Sequence, residues 1–260
     1  MADSTPPGPY SPQFYERHSE RTSCSAAAVV PIVMNLIHPA SVVDIGCGIG
    51  QWLGAFRAAG VRNVLGIDGA HVDRKMLLFP PEFFREADLE KPFRIPERFD
   101  LACSLEVAEH LTAPAGAALV AALCAAAPVV MFSAAVPLQG GDDHVNEQWP
   151  SYWIKLFEAR GFRMFDALRP QILTDRRITY FYRQNLMMFA SDEGAAAHPA
   201  LAAYSGPFGN LGLEWVHASV HEAELTDLAT LMRAPAALRR KIRRVARRIV
   251  RRLLRLHEST

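Results

Sequence analysis

The sequence predicts an α/β fold, a mainly parallel sheet with helices on both faces. Three observations predict it. Short apolar runs alternate with helical stretches between residues 38 and 190. No tight hairpin joins one run to the next, which favours crossover connections over antiparallel pairing. A glycine-rich turn, Gly46-Cys47-Gly48-Ile49-Gly50, separates the first apolar run from the first helix after it. Such a turn marks a place where something must approach the backbone. The chain has 260 residues, 50% of them hydrophobic, enough for one large domain or a domain with extensions.

In order along the chain, residues 1–24 are polar and Pro-rich and read as an extended N-terminal arm. Residues 25–38, SAAAVVPIVMNLIH, read as a helix with Pro31 inside it or at its start. SVVDIG is the first strand, and GQWLGAFRAAG is a helix closed by Gly60. NVLGID is the second strand, FFREADLE contains the third, and FDLACSLE is the fourth. The Ala-rich helix PAGAALVAALCAAA leads to the fifth strand, PVVMFSAA. PSYWIKLFEARG is a helix ended by Gly161, FRMFDALR is the sixth strand and NLMMFAS the seventh. The last two strands are joined by a loop segment, PQILTDRRITYFYRQ, and are expected to pair antiparallel at an edge. The division is therefore an arm (1–24), a core domain (25–190), a linker with a helical extension (191–237) and a basic tail (238–260).

Composition excludes several classes. No apolar run reaches the roughly 18 residues needed to span a bilayer, and the N-terminus lacks the basic and apolar regions of a secretory signal. A cytoplasmic location is expected. Cys24, Cys47, Cys103 and Cys124 form no CxxC pair, which favours reduced thiols over disulfides or zinc. No metal site is expected. From Arg239 onward there are ten Lys/Arg and one acid, which leaves 18 basic and 26 acidic groups in the rest of the chain. In the tail, Leu238, Ile242, Val245, Ile249, Leu253 and Leu256 form one apolar stripe among arginines. A basic amphipathic helix over 238–256 suggests an anionic membrane surface as partner, peripheral at the inner face. Nucleic acid is the weaker reading, since no aromatic interleaves the charges. Packing on the acidic body remains a further alternative.

The glycine turn admits two ligands. A dinucleotide fold uses GxGxxG, with the pyrophosphate at a helix N-terminus. Here the spacing is GxGxG, and Asp44 precedes the first glycine by two positions. A carboxylate there repels a pyrophosphate but suits a ligand carrying an ammonium group. Asp68, in GIDG, ends the second strand, where it can accept hydrogen bonds from ribose hydroxyls. Asp88, in ADLE, follows the third, placed to meet an adenine amino group.

VVDIGCGIGQW, GIDG, ADLE and FDLACSLEVAEHL, in this order, resemble the class I S-adenosylmethionine-dependent methyltransferases, most closely the small-molecule, ubiquinone-type branch with its E-V-x-E-H-L segment. The resemblance covers roughly residues 38–190. It implies a Rossmann-like seven-stranded sheet with strand 7 antiparallel between strands 5 and 6, and S-adenosylmethionine as cofactor. By position it implies that Asp44, Gly46, Gly48 and Gly50 frame the methionine moiety and that Asp68 and Gly69 hold the ribose. It likewise implies that Asp88 and Leu89 flank the adenine, and that Ser104, Leu105 and Glu106 close the pocket.

The acceptor is expected at the loop after the fifth strand, AAVPLQGGDDHVNEQWPSYW, because functional loops gather at the carboxyl end of such a sheet. O-methylation needs a base near the oxygen, and His144 is the first candidate, with Glu147 orienting it or binding the substrate. His110 is a second candidate, although Glu109 and His110 also suit the start of the following helix. Trp149 and Trp153 offer flat faces to a sugar or aromatic ring, unless they belong to the core. Tyr15, Arg17, His18 and Arg21 of the arm are candidates for a lid. Ser133–Pro137, Gln139–Trp153 and Tyr182–Leu186 are similar to segments of bacterial methyltransferases of glycan-assembly clusters, which implies a small polar or saccharide acceptor. The reading from a different class is a non-catalytic S-adenosylmethionine-binding module, docked to membrane or partner enzymes by its tail.

Overall fold

The computed structural model describes residues 12–204, with side chains from residue 20 onward. The chain divides into two units, Met1–His217 and Ala218–Thr260, and every described residue belongs to the first. The part of the expected linker and helical extension beyond residue 204 and the basic tail at 238–260 lie outside the described residues.

Seven strands form one sheet: β1 (Ser41–Ile45), β2 (Asn63–Asp68), β3 (Phe84–Glu86), β4 (Leu101–Leu105), β5 (Val129–Ser133), β6 (Phe162–Phe165) and β7 (Met187–Ser191). Their order is β3-β2-β1-β4-β5-β7-β6. Neighbours from β3 to β5 run parallel, with Asp44 opposite both Gly66 and Cys103. β7 runs antiparallel to β5 and to β6. β1, β4 and β5 are buried at every residue, as their unbroken apolar runs require when helices cover both faces. The order reverses between β1 and β4, which opens a crevice at their carboxyl ends.

Among the described residues, eight α-helices surround the sheet: α1 (Pro12–Ile37), α2 (Gln51–Ala58), α3 (Ala113–Ala126), α4 (Pro150–Glu158), α5 (Arg169–Ile172), α6 (Tyr180–Asn185), α7 (Asp192–Ala197) and α8 (Pro199–Ala202). One core joins Val29 and Val33 of α1, Trp52 and Phe56 of α2, Phe165 of β6 and Leu201 of α8. The opposite core joins Leu119 and Leu123 of α3 and Trp153 and Phe157 of α4 to Phe132 and Phe189. The Phe157 and Phe189 rings stack with centroids 3.8 Å apart. Each large side chain so buried contributes on the order of 1.5–3 kcal/mol.

Three expectations differ from the structure. The arm is helical from Pro12 onward, not extended to residue 24. Once Ala26, Val29, Val30 and Val33 anchor the helix in the core, propagation into polar sequence costs little. Pro31 lies inside this helix on its exposed side. The segment 170–184, read as loop, contains most of α5 and α6. The start of the expected linker at 191 is structured: the Ser191 hydroxyl accepts from the Gly194 amide at 3.1 Å and caps α7, and Leu201 of α8 is fully buried. The helices hidden in these stretches are four to six residues long, too short to show a period in sequence.

Candidate active site

A cleft of about 1220 Å³ opens at the carboxyl ends of β1, β2 and β4. Its floor is the turn between β1 and α2. Gly46 has φ +79°, and a Cβ there would sit 2.3 Å from a methyl of Val107, so the turn can close on the loop after β4 only with glycine. Gly48, at φ +55°, also faces the cleft. Gly50 does not. It has φ +89°, and a Cβ there would meet the Phe79 ring at 2.2 Å, so it serves packing under the turn.

Asp68 ties the turn to the end of β2. One carboxylate oxygen accepts from the Gly48 amide and the other from the Gly69 amide, each at 2.7 Å. His71 approaches the same carboxylate at 3.5 Å. Burial raises the pKa of Asp68, and the two amides oppose that rise. Asp44 lies beneath the turn, 2% exposed and outside the cleft lining. Burial, and then the charge of Asp68, push its pKa up to about 7.

Farther along the wall, Asp88 and Leu89 line the cleft beyond β3. Asp88 is half-exposed, and the Lys91 ammonium at 2.9 Å and the Glu90 amide hold its carboxyl below the usual range. Ser104 and Leu105 do not line the cleft: both are buried in β4, and the chain turns into the cleft only at Glu106, with φ +56°. The lining carries seven carboxylates (Asp68, Glu86, Asp88, Glu90, Glu106, Glu109 and Asp142) and one guanidinium, that of Arg21. This field favours a cationic ligand.

Glu106 is held by a carboxamide network that the sequence did not reveal. Gln139 donates to it at 2.9 Å and Asn185 at 3.1 Å, while Asn185 also donates to Gln139 at 2.8 Å. Gln184 donates to the Asn185 side-chain oxygen at 3.0 Å. All three amides are buried, so the loop after β5 and α6 are locked around one carboxylate. Ser25 of α1 accepts from the Thr179 amide at 3.1 Å, which fixes the start of α6 beside the cleft.

In the loop after β5, His144 and Glu147 are brought together as expected, with Nδ1 2.9 Å from a Glu147 oxygen. The second Glu147 oxygen accepts from the Leu138 amide at 2.9 Å, so the carboxylate orienting the ring is itself fixed. His110 and His144 meet edge to face with ring centroids 4.8 Å apart. Glu109 is 1% exposed, and neither carboxylate oxygen makes a full hydrogen bond among the described residues. The amides of Glu109 and Ala135 come close enough to temper a pKa that burial and the Glu106 charge drive well up. Trp153 belongs to the core, and Trp149 is 38% exposed outside the cleft lining. Arg21 reaches the cleft, as does Thr22, whereas the side chains of Tyr15, Arg17 and His18 lie outside the described residues. Cys47 is buried and its pKa is raised well above the usual value, so its thiol stays protonated and is no nucleophile.

The family model described as "Methyltransferase domain" matches residues 18–169, more than half of the chain. The chain belongs to this family. The methyltransferase shares its fold with DesVI of Streptomyces venezuelae, at 16% identity and a TM-score of 0.51, over 69% of this chain and 95% of that one. CalS10 of Micromonospora echinaspora, an amino pentose methyltransferase with bound S-adenosylmethionine, aligns at 17% identity over 70% of this chain and 98% of its own, with a TM-score of 0.51. The sugar N-methyltransferase KedS8 of Streptoalloteichus aligns at 15% identity over 74% and 96%, also with a TM-score of 0.51. No curated protein matches the sequence significantly. The cofactor of this class I methyltransferase is S-adenosylmethionine, and the cleft fits it: glycines leave the floor open, an acid ends β2, and the carboxylates balance its positive charge.

Proposed function

We propose that the protein transfers a methyl group from S-adenosylmethionine to an oxygen of a small polar acceptor, a saccharide or saccharide-like molecule. The observation that carries this reading is the division of one cleft into two chemically distinct ends. Gly46, Gly48, Asp68, Gly69, Asp88 and Leu89 lie at one end and are the residues to hold the cofactor, with Glu106 between the ends. His144 and His110 lie at the other, where the acceptor enters. The cofactor supplies an electrophilic methyl on a sulfonium. An oxygen that attacks it must lose its proton, and His144, aimed by Glu147, is the group assigned to activate it. Asp44 acts from beneath the floor through its charge. The saccharide class is supported by the loop sequence from Gln139 to Trp153 and by the sugar substrates named for CalS10 and KedS8.

The test is a calorimetric titration of the full-length protein with S-adenosylmethionine, followed by a screen of sugars and glycan precursors for release of S-adenosylhomocysteine. Binding near one equivalent and release with a hydroxylated acceptor are expected. Absence of binding overturns the cofactor assignment, and release only with amines overturns the oxygen acceptor.

A further inference from the structure

The two tryptophans whose faces suit a sugar do not reach the cleft: Trp153 is buried in the core and Trp149 lies outside the lining. Among the described residues, the Phe, Tyr or Trp side chains that do line it are Tyr180 and Phe181. Both are half-buried, and their rings meet edge to face with centroids 5.5 Å apart. They open α6, and three contacts hold that helix. At its start, the Thr179 amide donates to the Ser25 hydroxyl. In its middle, the buried Tyr182 ring meets Trp52 edge to face at 5.1 Å, and Trp52 Nε1 donates to the Tyr182 hydroxyl at 3.4 Å. At its end, Gln184 and Asn185 belong to the carboxamide network around Glu106.

We propose that Tyr180 and Phe181 form an acceptor subsite, an aromatic wall that takes the apolar face of a saccharide ring. Three features carry this assignment. The first is place. β7 runs antiparallel to β5 with Met187 opposite Phe132, so α6, which leads into β7, stands at the carboxyl end of β5. That position lies across β4 and β1 from β2 and β3, whose ends carry the residues assigned to ribose and adenine. The second is room. The cleft of about 1220 Å³ exceeds the roughly 300–1,000 Å³ of a pocket for one small ligand, so a second molecule fits beside the cofactor. The third is chemistry. A sugar ring presents C–H bonds on its faces and hydroxyls around its edge. Phe181 offers a purely apolar surface, and Tyr180 offers one that ends in a polar tip. Burial, and then the Glu106 charge, raise the Tyr180 pKa, so its hydroxyl keeps the proton and serves as a donor.

The subsite rests on the function proposed above for the class of its ligand, and deepens it by naming the side chains that select the ring. Aromatic side chains have two rotatable angles, so they give a large contact area at little cost in freedom, the less so on a helix held along its length. Stacking needs a closed ring with a face of C–H bonds. An open-chain polyol of the same composition has no such face and gains nothing from the wall. Gln139 lines the same cleft, and the network that orients it also ends α6, so the aromatic wall and the loop after β5 are held in one arrangement.

The experiment uses the full-length protein saturated with S-adenosylhomocysteine and saturation-transfer NMR. The probes are the methyl glycosides of glucose, galactose, rhamnose and glucosamine, with open-chain glucitol as control. Contact with at least one glycoside and none with glucitol is expected. Phe181→Ala and Tyr180→Ala should each weaken the glycoside by about 10-fold, whereas Phe181→Trp and Tyr180→Phe, which keep a flat ring, retain it. Phe181→Leu fills the space without a face, and its failure to retain the contact separates stacking from packing. Circular dichroism and S-adenosylmethionine titration of each variant report on folding and on the cofactor, and both are expected to be unchanged. Glycoside contact without release of S-adenosylhomocysteine when S-adenosylmethionine is supplied defeats the functional reading alone. No glycoside contact with the folded wild-type protein, or contact that Phe181→Ala and Tyr180→Ala both leave intact, overturns the subsite.

Discussion

At the scale of single residues, the site sets opposing demands on charge. Asp44 is buried under the glycine turn with its pKa at about 7. In the unfolded chain it titrates near 3.9. The folded state thus retains the proton over a range where the unfolded state has lost it, and this contribution favours folding at low pH. It is lost as pH rises from about 4 to about 7, a change on the order of 4 kcal/mol. Asp44→Asn should flatten this dependence and raise the urea midpoint at pH 8, while weakening S-adenosylmethionine binding. An unchanged midpoint at pH 8 would show that Asp44 is not destabilising when charged. His144→Ala is expected to leave S-adenosylmethionine affinity intact and slow methyl transfer by roughly 100-fold or more. Single-turnover rates with a reactive acceptor measure this, and unchanged rates remove His144 from the mechanism. The pairing of His144 with Glu147, three residues apart, was legible in sequence. The meeting of His144 with His110 and Glu109 was not, because more than thirty residues separate them and only the loop path decides their approach.

Among the elements, β4 and the loop after β5 show how packing selects from what sequence suggests. FDLACSLE reads as a strand, and β4 covers Leu101–Leu105 of it. Yet Ser104 and Leu105 are consumed by the sheet, and only Glu106 emerges, because β4 is covered on both faces up to its last residue. The carboxamides that hold Glu106 come from the QGG and YRQNL segments, whose side chains carry no periodic signal. A second buried polar contact fixes the edge of the sheet: Asp166, after β6, forms a bidentate pair with Arg169 of α5, and both are buried. Asp166→Ala leaves a buried guanidinium without its carboxylate and should cost about 3–5 kcal/mol. Urea denaturation checks this value, and a loss below about 1 kcal/mol would mean that the edge repacks around Arg169. Among the described residues, no helix is long and apolar enough to cross a membrane.

Over the whole molecule, the cleft gathers seven carboxylates around one guanidinium although the chain's net charge is only +1. This local excess should make binding of the cationic cofactor weaken as ionic strength rises, by more than binding of the neutral-sulfur product. The ratio of S-adenosylmethionine to S-adenosylhomocysteine affinity is therefore expected to fall between 0.05 and 0.5 M NaCl, on the order of the Debye-screening range. A constant ratio in calorimetry would place the discrimination in direct contacts. The sequence by itself determined the sheet. Seven apolar runs, their turns and the glycine motif are local signals, and burial on both faces forces each run to be nearly continuous. It also pointed to Gly46, Gly48, Asp68, Asp88 and Leu89 of the cleft lining, since the turn and the acids at the ends of β2 and β3 sit within a few residues of their strands. Only the tertiary structure decided the wall of the cleft built around Glu106 and His144. There, Glu106, Glu109, His110, Gln139, His144, Gln184 and Asn185 come from three separate segments. Their positions follow from the closure of long loops on a packed sheet, and no periodicity along the chain encodes that closure.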